Sequence, residues 1–436
     1  MAIVGAGLAG ALLAVLLGRR GYRVSLFERR ADPRTGGAER GRSINLALST
    51  RGIHALEQAG LAGRVLQQAI PMYGRMIHGL AGQPAFQPYA PRRDQAIHSV
   101  SRADLNATLV EAAEALGIPV AFGRRCVAVD PVRGEVTVAD FGGKRQSVGA
   151  DFIVGADGAY SEVRRHLVRS EHFDYQQSYL EHGYKELTIP AGPGGRHLLA
   201  PNALHIWPRG GFMMIALPNR DGSFTATCFW PLAGPNSFDA LGDGDELRAH
   251  FARVYPDALP LLPDLERDYF ANPTGSLVTI RCRPWHRERA VLIGDACHAV
   301  VPFYGQGANA AFEDCVVLAD ILAERPADLR PAFAEYERRR KEHTDALADL
   351  ALHNFVEMRD RTASAAFRWG KKLEHGLARA LPSWFVPLYS MVTFSRTPHA
   401  DAVRRARRQW RVVGGAAAGA AALGAVAAWL ALRRRR

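Results

Sequence analysis

The 436-residue sequence has few cysteines, and their arrangement does not indicate a structural role. Its five cysteines are Cys126, Cys228, Cys282, Cys297 and Cys315. No two of them form a CxxC pair, and no histidine stands at a metal-ligand spacing from them. His298 follows Cys297 directly, but neighbouring residues on a helix point in different directions. Widely spaced, odd-numbered cysteines argue against a disulfide framework and a zinc site and favour a reducing compartment, so we predict no bound metal.

The sequence also lacks a secretory signal at its N-terminus. A basic segment followed by a longer apolar one is absent, because glycines interrupt the apolar stretch from Gly5 onward. This pattern predicts a cytoplasmic protein. The first apolar run begins at Met1, which indicates either a shortened first strand or a missing upstream start.

Acidic residues are missing from the last part of the chain, where most of the excess positive charge lies. The formal net charge is +12, and nine arginines but no acid stand between Arg404 and Arg436. The rest of the chain therefore carries only +3. Because the positive charge belongs to one tail, the composition gives little support to a nucleic-acid partner.

Residues 412–432 within this tail contain no charged side chain. As a helix these 21 residues would span about 31 Å, which matches the hydrocarbon core of a bilayer. Ten of the residues are alanine and four are glycine, so their hydrophobicity is marginal. We expect a membrane anchor that spans the bilayer, and a surface-lying helix or a soluble tail remain the alternatives.

A glycine-rich turn near the N-terminus is typical of dinucleotide binding. A short apolar run, Ala2–Val4, precedes a GxGxxG motif with its glycines at Gly5, Gly7 and Gly10. A helical pattern to about Gly18 and a second strand ending at Glu28 follow. The glycines allow a tight turn, close approach of a pyrophosphate and close helix packing, and Glu28 is placed to accept hydrogen bonds from a ribose.

No second motif of this kind follows a strand, so we expect one stably held dinucleotide. Two later apolar runs instead end in Asp157-Gly158 and in Gly294-Asp295. Taken singly, either turn could simply cap a helix with its aspartate. Their presence together with the N-terminal motif favours a shared ligand site.

The overall pattern predicts an α/β protein. Short apolar runs and helical patterns alternate over the first 170 residues. Three β-rich runs (203–207, 212–217 and 224–230) then predict an antiparallel meander, and the chain after Leu329 reads as helical. Segments 29–42 and 142–147 are predicted loops.

These features resemble the single-component FAD-dependent aromatic hydroxylases. Longer stretches resemble, more narrowly, the kynurenine 3-monooxygenase family: Gly41–Ser49 (GRSINLALS), Leu204–Arg209 (LHIWPR), Phe212–Pro218 (FMMIALP) and Phe385–Ser395 (FVPLYSMVTFS). The resemblance implies a Rossmann-type FAD-binding domain, an inserted antiparallel β-sheet substrate domain and a C-terminal helical region that ends in an apolar helix. Glu162 departs from the family pattern, which has a small hydroxyl residue there, and could disturb a phosphate contact.

The resemblance implies a division of the chain into segments. The FAD-binding domain would comprise residues 1–75, 98–170 and 276–328, and the substrate domain residues 76–97 and 171–275. A helical region at 329–403 and a membrane tail at 404–436 would complete the chain.

The resemblance also implies site residues. FAD would be held by Gly5, Gly7, Ala9, Gly10, Phe27, Glu28, Arg29, Arg30, Ala47, Arg102, Asp157, Gly158, Gly294, Asp295, Ala308 and Asn309. The amino-acid group of kynurenine would be held by Arg75, Tyr89, Asn354 and Tyr389. Apolar walls are expected from Met213, Ile215, Phe229, Pro302 and Phe303.

Read without the resemblance, the four substrate residues have ordinary interpretations. Arg75 lies in a strand-like run where an exposed arginine is common, and Asn354 could be a solvent-facing or a satisfied core amide. Tyr89 could be a loop aromatic, and Tyr389 could pack in the core. However, an arginine with paired donors suits a carboxylate, and neutral tyrosine and asparagine do not repel an ammonium group.

The implied function is hydroxylation of L-kynurenine to 3-hydroxy-L-kynurenine with NADPH and O₂, through a C4a-hydroperoxyflavin, in tryptophan catabolism and NAD (quinolinate) biosynthesis. Two alternatives remain open at this point. One is a related flavin monooxygenase acting on a lipid or quinone precursor, and the other is a non-catalytic flavin-binding protein tethered to a membrane.

Overall fold

The computed structural model describes residues 1–34, 45–80, 83–90, 94–169, 172–325, 328–361 and 365–433. The side chains of residues 361, 365–368, 417 and 420–433 lie outside the described part. The strands are β1 (Ala2–Val4), β2 (Ser25–Phe27), β3 (Leu46–Leu48), β4 (Ile70–Met72), β5 (Gly74–Ile77), β6 (Ala85–Pro88), β7 (Ile97–Val100), β8 (Val120–Ala121), β9 (Arg125–Asp130), β10 (Glu135–Ala139), β11 (Arg145–Gly149), β12 (Ile153–Gly155), β13 (Asp174–Ile189), β14 (Ala203–Pro208), β15 (Met213–Pro218), β16 (Phe224–Pro231), β17 (Gly275–Arg283), β18 (His286–Arg287) and β19 (Ala290–Leu292). The α-helices are α1 (Leu8–Gly18), α2 (Thr50–Gln58), α3 (Ala62–Leu66), α4 (Arg102–Ala115), α5 (Glu162–Leu167), α6 (Gly244–Val254), α7 (Leu265–Ala271), α8 (Asp295–His298), α9 (Gly307–Glu324), α10 (Leu329–Val356), α11 (Ala365–Ala380), α12 (Leu388–Thr393) and α13 (His399–Arg433).

A six-stranded sheet with the order β18-β19-β12-β1-β2-β8 forms the first layer of the fold. Its inner strands are parallel, with Ile3 opposite both Leu26 and Val154, and Val154 opposite Val291. These strands are buried on both faces, which explains why they read as continuous apolar runs rather than as alternating ones. The α/β prediction for the N-terminal part is confirmed.

A seven-stranded sheet with the order β17-β13-β16-β15-β14-β5-β6 forms the second large layer. Strands β14, β15 and β16 pair antiparallel, as predicted from the three β-rich runs. Strand β5 joins parallel to β14, which places Arg75 opposite Leu204. This pairing brings a segment from the first 80 residues into the sheet built by residues 174–283.

The C-terminal part is helical, as expected. Helix α10 begins at Leu329, where the helical region is predicted to start, and is followed by a π-helical turn at Glu357–Arg361. Helix α11 follows, and the short helix α12 after it packs against α13.

One of the two predicted loops is partly a strand. The segment 142–147 is predicted to be a loop, but β11 begins at Arg145 and pairs antiparallel with β10. Its side chains are mostly exposed, so a polar edge strand has the composition of a loop. Of the other predicted loop, 29–42, residues 35–42 lie outside the described part, as do residues 41–44 at the start of the GRSINLALS motif.

Helix α13 runs through the predicted membrane tail. Among the residues that the structure describes, no helix is both long enough and apolar enough to cross a membrane. The expected apolar C-terminal helix is therefore not supported. Most of the side chains of residues 412–432 lie outside the described part.

Candidate active site

The carboxyl ends of four strands meet at one edge of the six-stranded sheet. Strand β1 leads into Gly5 and β2 into Glu28, while β12 and β19 lead towards Asp157 and Asp295. Because these strands are adjacent and parallel, the turns that follow them converge. This edge is where open α/β sheets bind nucleotides.

A cavity of about 600 Å³ begins at this edge and continues to the seven-stranded sheet. The predicted cofactor residues that line it are Gly5, Gly7, Ala9, Phe27, Glu28, Arg29, Arg30, Ala47, Arg102, Asp157, Gly158, Asp295 and Ala308. The predicted substrate residues that line it are Arg75, Tyr89 and Tyr389. One cavity therefore brings together the two sets of residues.

The three glycines of the N-terminal motif have different surroundings. A Cβ at Gly5, where φ is +103°, would lie 2.5 Å from the carbonyl oxygen of Ala156, and a Cβ at Gly10 would lie 1.9 Å from that of Gly5. A Cβ at Gly7, which lies on the cavity, would have no atom of the described residues within 4 Å beyond its own neighbours in the chain. The first and third glycines thus allow close packing, while the second leaves space beside the N-terminus of α1 for a ligand.

Glu28 is buried at the end of β2, and its carboxylate is tied to the glycine-rich turn. Its Oε2 accepts a hydrogen bond from the amide of Ala6 at 2.9 Å, and its Oε1 accepts from the amide (3.1 Å) and Nε (2.8 Å) of Arg30. Burial raises the pKa of Glu28, but the bonds from Arg30 and Ala6 outweigh it and leave the pKa below the usual value. An ionised acceptor at this position suits a ribose hydroxyl.

The Asp157 carboxylate accepts hydrogen bonds from the start of α5, whose N-cap residue is Ser161. Its Oδ1 accepts from Ser161 Oγ at 2.5 Å, and its Oδ2 accepts from the amides of Glu162 (2.7 Å) and Val163 (3.2 Å). Burial raises its pKa in spite of these bonds. The Glu162 side chain pairs with Arg165 and also lines the cavity.

Gly294 and Asp295, in the turn after β19, have different roles. Gly294 does not line the cavity; its amide donates to Asp314 Oδ2 at 3.0 Å, and its φ of +58° favours glycine. Asp295 has an exposed side chain on the cavity. Gly294 therefore shapes the turn that presents Asp295.

Asn309 is fully buried and does not line the cavity. Its Nδ2 donates to the carbonyls of Ala47 and Gly305, both at 2.9 Å, and its Oδ1 accepts from the amide of Ser49 at 2.9 Å. Asn309 thus holds the turn after β3 in place. Gly10 also stays outside the lining.

At the other end of the cavity, Arg75 lies against two tyrosines. The rings of Tyr89 and Tyr389 are stacked, and the Arg75 guanidinium carbon is 5.7 Å from the first centroid and 5.2 Å from the second. Burial lowers the pKa of Arg75, but Tyr389, Tyr89 and Glu357 outweigh it and raise the pKa. The Arg75 Nε and the Tyr89 hydroxyl are buried and have no hydrogen-bond partner among the described residues. Buried polar atoms usually have a hydrogen-bond partner, and a polar ligand in the cavity would supply one here.

Asn354 does not join this cluster. It is 6 % exposed, and its Nδ2 donates to the carbonyl of Phe303 at 2.5 Å. It does not line the cavity, although Phe303 does. The satisfied-amide interpretation describes its geometry, and its contact with ligand would be indirect.

The expected apolar walls are present with one exception. Ile215, Phe229, Pro302 and Phe303 line the cavity, whereas Met213 packs in the core beside it. Alternate residues of a strand point to the same face, so Met213 and Ile215 share a face but differ in depth.

Two further residues at this end carry no signal in the local sequence. The ring of Tyr304 lies 5.6 Å from that of Tyr389, and Tyr304 lines the cavity. Glu357 acts on the pKa of Arg75 from the π-helical turn after α10. Only the fold brings both residues to the cluster.

Comparison with known proteins agrees with this architecture. A family model described as "FAD binding domain" matches residues 1–351. The fold resembles a mutant of 2-methyl-3-hydroxypyridine-5-carboxylic acid oxygenase (TM-score 0.68, 24% identity, 84% of this chain and 94% of that chain). It also resembles PqsL of P. aeruginosa (TM-score 0.68, 23% identity, 84% of this chain and 98% of that chain). The fold is therefore that of the FAD-binding monooxygenases, with mixed α/β sheets.

Sequence relatives with assigned names identify the family more closely than the fold does. The chain is 49% identical over 401 residues to kynurenine 3-monooxygenase of Myxococcus xanthus, covering 91% of this chain and 86% of the relative. It is 48% identical over 411 residues to the enzyme of that name from Stenotrophomonas maltophilia, covering 94% and 90%. The chain belongs to the kynurenine 3-monooxygenase family.

Proposed function

We propose that this protein is an FAD-dependent monooxygenase that converts L-kynurenine to 3-hydroxy-L-kynurenine with NADPH and O₂. One oxygen atom enters the aromatic ring and the other leaves as water, with NADPH supplying two electrons. The observation that carries the proposal is the position of Arg75, whose buried Nε has no partner among the described residues, at the far end of the cavity from the nucleotide-binding edge. The names of the relatives agree with it.

The described residues fit FAD. Gly7 leaves room for a pyrophosphate, Glu28 offers an ionised acceptor, and Arg102 and the exposed Asp295 lie along the same cavity. When bound, FAD supplies the redox chemistry that passes electrons from NADPH to O₂. We therefore propose the cofactor role for the predicted set, with Gly10, Gly294 and Asn309 acting through the turns they shape.

The protein's own residues orient the substrate and keep water out. The Arg75 guanidinium would bind the α-carboxylate, and the faces of Tyr89 and Tyr389 would lie beside the α-ammonium group. Ile215, Phe229 and Phe303 offer apolar surface for the aromatic ring. Excluding water at this end protects the reacting oxygen from side reactions.

Hydroxylation is tested directly on purified, FAD-loaded protein. NADPH oxidation should accelerate when L-kynurenine is added, and ¹⁸O from ¹⁸O₂ should appear in 3-hydroxy-L-kynurenine by mass spectrometry. D-kynurenine is a matched control, since it places the same groups in a different arrangement. The absence of both stimulated NADPH oxidation and hydroxylated product with L-kynurenine would contradict the proposal.

The two alternatives from the sequence are less favoured. An uncharged lipid or quinone precursor would leave the buried Arg75 Nε without a partner, which carries a cost in free energy. A non-catalytic flavin-binding role does not explain why the polar cluster and the nucleotide edge share one cavity. The domain boundaries given above remain a proposal, as does a place in tryptophan catabolism and pyridine nucleotide biosynthesis.

We also propose a cytoplasmic enzyme that attaches to a membrane through residues 412–432. The support is the uncharged segment between two arginine clusters in the sequence. Membrane fractionation followed by carbonate extraction tests it. Release by carbonate would exclude a spanning anchor, and recovery in the high-speed supernatant before extraction would exclude attachment altogether.

A further inference from the structure

Arg51 is a buried cation in the second position of α2 and is only 2 % exposed. Its guanidinium donates hydrogen bonds to three backbone carbonyls from a distant part of the chain. One Nη donates to Val392 at 2.5 Å and to Ser395 at 3.0 Å, and the other donates to Thr397. These carbonyls belong to the end of α12 and to the turn that follows it, where a cation is favourable.

The charge of Arg51 is balanced within a buried network. Its Nε lies 3.3 Å from Glu313 Oε1, and Glu313 also pairs with Arg340. The Arg340 Nε donates to Asp314 Oδ1 at 2.7 Å, and Asp314 Oδ2 accepts from the amide of Gly294. Charged contacts therefore link α12 to the turn that presents Asp295.

Hydrogen bonds within helix α12 do little to hold it in place, and its buried Met391 and Val392 pack against α13. It contains six residues, which is too short for intrahelical bonds alone to be stable. It nevertheless carries Tyr389, which must stay stacked on Tyr89 for both rings to face Arg75. The position of Tyr389 depends on contacts that anchor the helix from outside.

We propose that Arg51 is a positioning residue for substrate binding, because it anchors α12 and so keeps Tyr389 against Tyr89 and Arg75. Arg51 does not touch the cavity, so its action is indirect. The inference deepens the proposed function and rests on it only for the identity of the substrate.

The first test does not need a substrate. Hydrogen exchange of FAD-loaded Arg51→Lys is compared with that of the unaltered protein. Lysine keeps the charge but lacks the planar fork that reaches three carbonyls. We expect amides of residues 388–397 to exchange at least about 10-fold faster, while those of β1 and α1 stay within about twofold. Unchanged exchange at 388–397 would overturn the proposal even if the protein had another substrate.

The second test is a double-mutant cycle on L-kynurenine binding, followed through the flavin absorbance. We expect Arg51→Lys to raise the Kd for L-kynurenine about 10-fold, with the Kd for FAD changed less than about twofold. Because Arg51 acts by positioning the ring of Tyr389, the double variant with Tyr389→Ala, which removes the ring, should bind no more weakly than the weaker single variant. Additive losses would overturn the proposed route through Tyr389.

Two further variants serve as a control and as a safeguard. Arg209→Lys is the control, because the Arg209 guanidinium also donates to three backbone carbonyls, those of His78, Pro208 and Val254, but to none in α12, so exchange at residues 388–397 should stay unchanged. Ser395→Ala removes a hydroxyl that donates to Met391 and accepts from the amide of Thr397, so it loosens the same turn more gently. If Arg51→Lys does not fold, Ser395→Ala must reproduce the faster exchange at 388–397, and its failure to do so would overturn the proposal.

Discussion

The rings of Tyr89 and Tyr389 lie 5.3 Å apart, at an angle of 16°, although 300 residues separate them in the chain. The guanidinium of Arg75 faces both rings. Burial and the neighbouring Tyr389 raise the pKa of Tyr89 well above its usual value, and burial also raises the pKa of Tyr389. Both phenols therefore stay neutral at physiological pH and Arg75 is the cation of the cluster.

The first prediction concerns Arg75→Ala. Removing one partner of a buried charge pair costs about 2–5 kcal/mol, so KM for L-kynurenine should rise roughly 30-fold or more. The spectrum of bound flavin should not change, because Arg75 lies at the end of the cavity away from the nucleotide edge. Steady-state kinetics and flavin absorbance measure the two effects.

Arg133→Ala is a matched control for this variant, since the Arg133 side chain is 80% exposed and is not part of the cavity lining. It should leave KM unchanged. Loss of FAD from Arg75→Ala, or an unchanged KM, would refute the role assigned to Arg75.

The second prediction separates two glycines of the same motif. A Cβ at Gly10 would lie 1.9 Å from a backbone oxygen, so Gly10→Ala should destabilise the protein before any ligand is added. The methyl group of Gly7→Ala would meet no atom of the described residues within 4 Å, and we expect the thermal midpoint of the apoprotein to fall by less than about 2 °C. Its affinity for FAD should nevertheless fall by about tenfold or more, since the methyl group enters the space for the pyrophosphate.

Calorimetry of both apoproteins and FAD titration give the comparison. Gly10→Ala is the comparison for Gly7→Ala, because it should lower the stability of the apoprotein itself. Wild-type FAD affinity in a folded Gly7→Ala protein would mean that the dinucleotide does not pass beside Gly7.

The nucleotide edge could be predicted from the sequence because its signals are local. The spacing from Gly5 to Glu28 sets a strand, a turn, a helix and a second strand, and these elements form as expected. The turns at Asp157 and Asp295 follow apolar runs that only a buried parallel strand explains well. Adjacent parallel strands then place these turns side by side.

The substrate end depends on contacts between remote segments, so local patterns do not show it. Arg75 reads as an exposed strand residue, and it is indeed in a strand, but β14 and α12 cover it from more than 100 residues away. Glu357 and Tyr304 reach the cluster in the same manner. Asn354 was expected to contact the substrate, but its amide donates to the carbonyl of Phe303 instead. Nothing in the local sequence distinguishes such a core asparagine from a ligand-binding one.

The third prediction concerns Glu28→Gln. The pKa of Glu28 is below the usual value, so the carboxylate stabilises the fold above pH 4.5, and this stabilisation is lost as the pH falls through the native pKa. At pH 7 the variant should lose about 1–3 kcal/mol of unfolding free energy. Urea unfolding of the apoprotein should show the two proteins converging at acidic pH.

Glu57→Gln is the control, because the Glu57 side chain is 59% exposed and its ion pair is a loose one with His54, at 3.7 Å. It should change the unfolding free energy little at any pH. A difference between Glu28→Gln and the unaltered protein that stays constant down to pH 3 would contradict the electrostatic explanation.

Strand β5, which carries Arg75, ends in a buried histidine network. His78 Nδ1 contacts Asp257 Oδ2 at 2.7 Å, and its Nε2 contacts His205 Nδ1 at 2.9 Å. His205 Nε2 donates to the carbonyl of Ala200 at 2.9 Å, which leaves its Nδ1 as an acceptor. The His78 ring is also stacked on Trp207, with centroids 4.1 Å apart. The network therefore requires a neutral His205.

The fourth prediction is that this network destabilises the fold in mild acid. Burial lowers the pKa of His205 from 6.5 to about 4, so between these values the unfolded chain binds the additional proton and stability falls as the pH falls. The resulting loss at pH 4.5 relative to pH 7.5 is about 2–3 kcal/mol. Because glutamine cannot take up the proton, the unfolding free energy of His205→Gln in urea should lack this loss between pH 7.5 and pH 4.5. The control variant His353→Gln, at an exposed histidine, should retain the loss. Equal pH dependence of the His205 and His353 variants would show that His205 does not stay neutral in the folded protein.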